Sequence, residues 1–133
     1  MSQQNVEMAR RAYDAYNRRD LEGMVVDFAS SFEYVTTGAI PGRPAVYRGH
    51  DGWIEFAGWL WDEFDDARVD VHELTDAGDR VLAAVSLRGR GKQSGVETSW
   101  DIWHVWTVEN GKVVHGQAFR TREEALEAAG LQE

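Results

Sequence analysis

The residue best placed for acid–base chemistry is His104. It lies in a stretch whose even positions read Val96, Thr98, Trp100, Ile102, His104, Trp106 and Val108, while the odd ones read Glu97, Ser99, Asp101, Trp103, Val105, Thr107 and Glu109. Alternation of this kind is a half-buried strand with the even set turned inward. His104 therefore sits mid-way along an apolar stripe, either as a hydrogen-bonded core residue or as an acid/base facing a bound molecule. Burial among indole rings disfavours the imidazolium, so the ring should be neutral at pH 7, its pKa below the usual value of about 6.5. A neutral imidazole buried there needs a partner, because an unsatisfied one costs about 1–3 kcal/mol. Tyr13 is the first candidate.

Tyr13 and Tyr16 recur at helical spacing in the first twenty residues, and each serves either as core or as a pocket hydroxyl. Trp53, Trp100 and Trp106 fill a core or line a pocket. Arg120, at the end of the last strand, is either solvated or an anion contact at a pocket mouth, where it would suit a carboxylate ligand. His50, His72 and His115 are scattered without metal-ligand spacing, and there is no Cys, so no metal site is expected. Asp62, Glu63, Asp65 and Asp66 read as a solvated helix end.

A net charge of −9 argues against nucleic acid as a partner, since phosphate binding needs clustered Lys and Arg. The one short basic cluster, Arg88, Arg90 and Lys92, reads as a strand end and turn. Six Trp in 133 residues demand a large core, a pocket or an interface. The opening residues lack the apolar run of a signal peptide, and no apolar run approaches the ~20 residues of a membrane span. A cytoplasmic protein without a membrane partner is expected, and 133 residues suit one domain.

Positioning these side chains takes several elements. Residues 2–19 read as a helix capped by Ser2, and Asp20 caps a short second helix burying Leu21, Met24, Val25 and Phe28. Residues 32–36 form a strand. Gly38, Pro41, Gly42, Pro44 and Gly49 break the chain, leaving a small extended piece around 46–48. Asp51 caps a third helix to about Phe64, apolar over more than one face. Strands 68–75 and 80–89 join through Asp76–Asp79, and 96–108 and 112–120 through Asn110-Gly111, a strong hairpin signal. Small Gly116 and Ala118 are expected to face inward with Val114, leaving space for a cavity. Thr121 and Glu124 form a capping box for a last helix ending at Gly130.

This order resembles the nuclear-transport-factor-2-like fold, and its SnoaL-like (polyketide-cyclase-like) branch in particular. The residues carrying the likeness run the whole chain: Asn5-Val6, Arg11 with Tyr13, Asn17 to Leu21, Tyr47 to Gly52, Asp76 to Val81, Gly89 to Gly91 with Ser94 to Val96, His104 to Trp106 with Gly111 to Val113, and Arg122 to Leu131. The resemblance implies an α+β fold: a cone-shaped curved antiparallel sheet packed on three N-terminal helices, with a short C-terminal helix. It also implies a pocket inside the cone and commonly a homodimer through the outer sheet face.

Ketosteroid isomerases of this fold use a helix-1 tyrosine, a carboxylate base after the first strand and a second acid on the long strand. Here those positions hold Tyr13, Thr36 and His104, so only the tyrosine is kept. Polyketide cyclases of this type pair a long-strand histidine with an aspartate on the last strand, and here the aspartate position, near Ala118, is vacant. The Asp–Arg–Asp cluster of limonene epoxide hydrolase is not matched, because Asp101 points outward and Arg120 has no partner acid on its strand. What remains is a pocket protein with two readings. One is a cofactor-independent lyase, isomerase or cyclase acting on a hydrophobic oxygenated substrate, with His104 as acid/base and Tyr13 as donor to an oxyanion. The other is a non-catalytic binder of a small hydrophobic ligand, or a structural or assembly domain. In either, Tyr16, Thr36, Trp53, Trp100, Trp106 and Arg120 are the expected ligand contacts, and Trp103, Val105 and Phe119 the outer surface of a homodimer.

Overall fold

A computed structural model describes residues 2–36, 39–40 and 42–131. Helix α1 (Ser2–Arg18) and α2 (Leu21–Val25) lead into β1 (Phe28–Val35) and β2 (Val46–Arg48). Helix α3 (Gly49–Glu63) precedes four strands, β3 (Phe64–Ala77), β4 (Arg80–Gly91), β5 (Glu97–Glu109) and β6 (Lys112–Phe119), and α4 (Arg122–Ala129) ends the fold. The sheet runs β2-β1-β6-β5-β4-β3, antiparallel except where β1 lies parallel to β6. This is the expected α+β fold: a six-stranded curved, unclosed sheet holding α1 and α3 against its concave face. Among the described residues no helix is long and apolar enough to cross a membrane.

The turns form where their chemistry places them. Asn110 and Gly111 both take positive φ, 51° and 76°, which a two-residue hairpin of this twist requires. Asp20 accepts from the Gly23 N–H, and Thr121 accepts from the Glu124 N–H, so both expected caps are in place. The proposed cap at Ser2 concerns a side chain outside the described residues.

Other expectations change. Helix α3 starts at Gly49 with Arg48 at its N-cap position and no side-chain cap, so Asp51 lies within the first turn. Phe28 belongs to β1 rather than α2, and Leu21 is exposed. Asp65 and Asp66 are solvated but open β3, whose bulges absorb the change of direction after α3. A bulge also sits opposite the Thr107–Val108 step. It pairs Val108 with Val113, so Val113 and not Val114 turns into the core beside Gly116. Val96 is exposed ahead of β5, and full burial along the inward face begins at Ile102.

Helix α4 lies on the convex face. Its Ala125, Leu126 and Ala129 bury Leu82 and Val105, while Trp103 and Phe119 pack partly against the same cluster. The apolar outer stripe is thus covered in part by the chain itself, and Val105 is not free for a second copy.

Candidate functional site

The long strand delivers its even residues to the cone interior, and neighbouring strands make room for them. His104 lies between Ala83 of β4 and Ala118 of β6, Trp106 between Val81 and Gly116. Gly116 and Ala118 do face inward. Their smallness accommodates the strand's own rings instead of a large cavity: the Trp106 indole lies so close over Gly116 that a Cβ there would overlap it. Phe28, Phe32, Tyr34, Trp53 and Phe56 close round Trp106 in a continuous aromatic cluster. The cavity that remains is about 30 Å³, room for one water-sized group. It is lined by Tyr13, Tyr16, Tyr34, Trp53, His104 and Trp106 among others.

Four of these side chains form one buried chain. Trp106 Nε1–H donates to the Tyr13 hydroxyl oxygen at 2.8 Å. That hydroxyl is 2.7 Å from His104 Nδ1, and the Tyr34 hydroxyl is 2.8 Å from His104 Nε2. His104 is 2% exposed, and burial lowers its pKa to about 3, so it is neutral. Burial pushes Tyr13 and Tyr34 upward, so both keep their hydroxyl hydrogen. Tyr13 is thus the histidine's partner, as expected. Tyr34 was missed. The clue was Phe32, Tyr34 and Thr36 alternating along one strand, which puts all three on the inward face.

Neutral imidazole carries one hydrogen, so the four groups hold four hydrogens for three contacts. With the hydrogen on Nε2, Tyr13 donates to Nδ1, Nε2 donates to Tyr34, and the Tyr34 hydrogen is left over. With it on Nδ1, Tyr34 donates to Nε2 and the Tyr13 hydrogen is left over. Either tautomer leaves one hydroxyl hydrogen unused and no bare imidazole nitrogen. Both imidazole nitrogens are thus engaged by tyrosine hydroxyls, and the hydrogen left over is a phenolic one. Trp53 adds a second: its Nε1–H is buried with no acceptor among the described residues.

The remaining expected contacts divide between two places. Tyr16, Trp53 and Trp106 line the interior with Tyr13 and His104. Thr36, Trp100 and Arg120 instead line an open hollow of about 620 Å³ at the strand ends, together with Arg43. There the Thr36 hydroxyl donates to the Pro44 carbonyl and its N–H to the Ala45 carbonyl, so it ties down the loop after β1. Among the described residues no cluster of His, Cys, Asp or Glu could hold a metal.

A Ser–His–Asp set does occur on the convex face, in an unproductive order. Ser86 Oγ donates to Asp101 at 2.6 Å and lies 2.7 Å from His72 Nε2. The one hydroxyl hydrogen goes to the carboxylate, so Ser86 accepts from His72 and cannot be deprotonated by it, as a nucleophilic serine must be.

The model of the SnoaL-like domain family matches residues 9–116. The chain belongs to that family. No curated protein matches the sequence. Several solved structures share the fold. An NTF2-like protein from Burkholderia thailandensis is 26% identical, with 96% of this chain and 97% of that one covered and a TM-score of 0.78. A putative SnoaL-like polyketide cyclase from Jannaschia is 22% identical, with 96% and 92% covered and a TM-score of 0.76. TerC, co-crystallised with polyporic acid, is 22% identical, with 96% and 98% covered and a TM-score of 0.77. At such identities the last two establish the fold and no activity of this SnoaL-like protein.

Proposed function

We propose that this protein binds a small apolar molecule carrying a carbonyl-type oxygen in the cone interior, without a cofactor and without proton abstraction by His104. The observation that carries this reading is the donor surplus of the Trp106–Tyr13–His104–Tyr34 chain. A buried donor left without an acceptor costs about 1–3 kcal/mol, and a guest oxygen removes that cost. The Trp53 Nε1–H beside the same cavity adds to the pull. Since the cavity is about 30 Å³, a guest must move side chains at its rim. Tyr16, Leu60 and Leu87 are shared with a shallower hollow that runs out to Phe64 and Trp100, and they mark the way in. That TerC, which shares the fold, was co-crystallised with polyporic acid agrees with a ligand-binding role.

A second reading, a cofactor-independent isomerase, cyclase or lyase, draws on the continuity of the Tyr13–His104–Tyr34 hydrogen bonds. A hydroxyl that protonates a guest oxygen can be resupplied through the imidazole. We also propose a homodimer through the convex face, resting on the half-exposed Trp103 and Phe119 beside α4.

Cyclohexanone and methylenecyclohexane have nearly the same shape and differ in the acceptor. The ketone should bind about tenfold or more tightly, and shift the His104 ring nitrogen resonances. Equal affinity for the two, or a ketone that leaves those resonances unmoved, rules the interior reading out.

A further inference from the structure

We propose that the open hollow lined by Arg43, Arg120 and Trp100 is an anion subsite that takes the carboxylate of a small cyclic or aromatic acid. Seven other arginines, at 10, 11, 18, 48, 68, 88 and 90, each have a carboxylate within ion-pair distance. Among the described residues Arg43 and Arg120 have none, as is also true of Arg19 and Arg80, but only Arg43 and Arg120 share a hollow. Arg43 is nevertheless held in place and half-buried. Its Nε donates to the Tyr47 hydroxyl at 2.8 Å, and its guanidinium carbon lies 4.5 Å over the Trp59 ring and 5.8 Å over Tyr47.

That seat uses one edge and one face of the guanidinium, leaving its remaining N–H donors for the hollow. A planar fork fixed in this way has lost its flexibility before a ligand arrives, so little is spent on ordering it. Arg120, directly after β6, lines the same hollow. The hollow's own carboxylate, Asp101, accepts from Ser86 through Oδ1.

The rest of the lining suits a ring. Trp100 stacks on Trp59 with centroids 6.2 Å apart and planes 8° from parallel, and Ala39 and Ile40 are apolar neighbours. The volume, about 620 Å³, is of the size small-molecule sites have. Pro44 and Ala45, next to Arg43, are bonded to Thr36, and Ile40 is buried. This hollow shares no lining residue with the interior cavity and meets the way into it only at Trp100.

Benzoate and benzamide are probes of the same shape that differ in charge, and quenching of Trp59 and Trp100 fluorescence reports their binding. Benzoate should bind about tenfold or more tightly than benzamide, and added salt should narrow the gap. Arg43→Gln and Arg120→Gln should each lower benzoate affinity about tenfold and leave cyclohexanone affinity unchanged. Benzamide binding as tightly as benzoate, or benzoate affinity untouched in both variants, overturns the subsite. Loss of cyclohexanone binding in wild type alone would count against the interior reading only.

Discussion

Replacing Tyr13 by Phe tests the hydrogen count directly, because the ring volume and its apolar contacts are kept and one oxygen is lost. That oxygen serves two buried groups, the Trp106 N–H and His104 Nδ1, whereas the Tyr34 oxygen serves only His104 Nε2. In Tyr13→Phe the indole N–H keeps no acceptor, and the imidazole can adjust its tautomer only towards Tyr34. Against the one hydroxyl hydrogen already stranded in the wild type, Tyr13→Phe strands one group more and should cost about 1–3 kcal/mol, whereas Tyr34→Phe exchanges one stranded group for another and should be near neutral. For a domain of this size 1 kcal/mol moves the midpoint by roughly 3–5 °C, so the first variant should melt about 5–10 °C low and the second within a few degrees of the wild type. Urea unfolding followed by far-ultraviolet circular dichroism is the suitable assay, since fluorescence would also report the altered surroundings of Trp106. If Tyr34→Phe costs as much as Tyr13→Phe, or both are neutral, the chain does not carry hydrogen bonds in the order described.

Two further outcomes follow from the same geometry. The folded-state pKa of His104 is about 3 against about 6.5 unfolded, so protons favour the unfolded chain. Stability from this group is fully present above pH 6.5 and falls by about 1.4 kcal/mol per pH unit towards pH 3; His104→Phe should remove that slope between pH 6 and 4, and an unchanged slope refutes the assignment. A homodimer should sediment as such at tens of micromolar and dissociate on Trp103→Glu, whereas a wild-type monomer would mean that α4 already covers enough of the convex face.

Much of the fold was readable because its signals are local. The Asn110-Gly111 turn, the Asp20 and Thr121 caps and the period-two stripe of β5 each follow from neighbouring residues, and each is in place. The misreadings came where a distant partner decides. Val113 and Val114 exchange faces because a bulge, set by pairing with β5, inserts a residue that sequence alternation cannot register. Val105 reads as an exposed outer residue until α4 folds back over it. Tyr34 was legible as an inward strand residue, but nothing local says that its hydroxyl meets an imidazole seventy positions later.

The separation of the expected contacts into two groups has a physical cause. The inward face of β5 changes character along its length. From His104 to Val108 it is flanked by β4 and β6, so its large residues must pack against α1, β1 and α3 and fill the cone. Before Trp103 the β6 partner is gone, and Trp100 lines the open hollow with residues that follow β1 and with Arg120 just after β6. Polar groups placed in the first region are forced into mutual hydrogen bonds, which is why both nitrogens of His104 have partners. Those in the second region border an open hollow, and among the described residues Arg43 and Arg120 have no carboxylate within ion-pair distance. The chemistry left in the interior is that of a hydroxyl donor, while charge recognition falls to the rim.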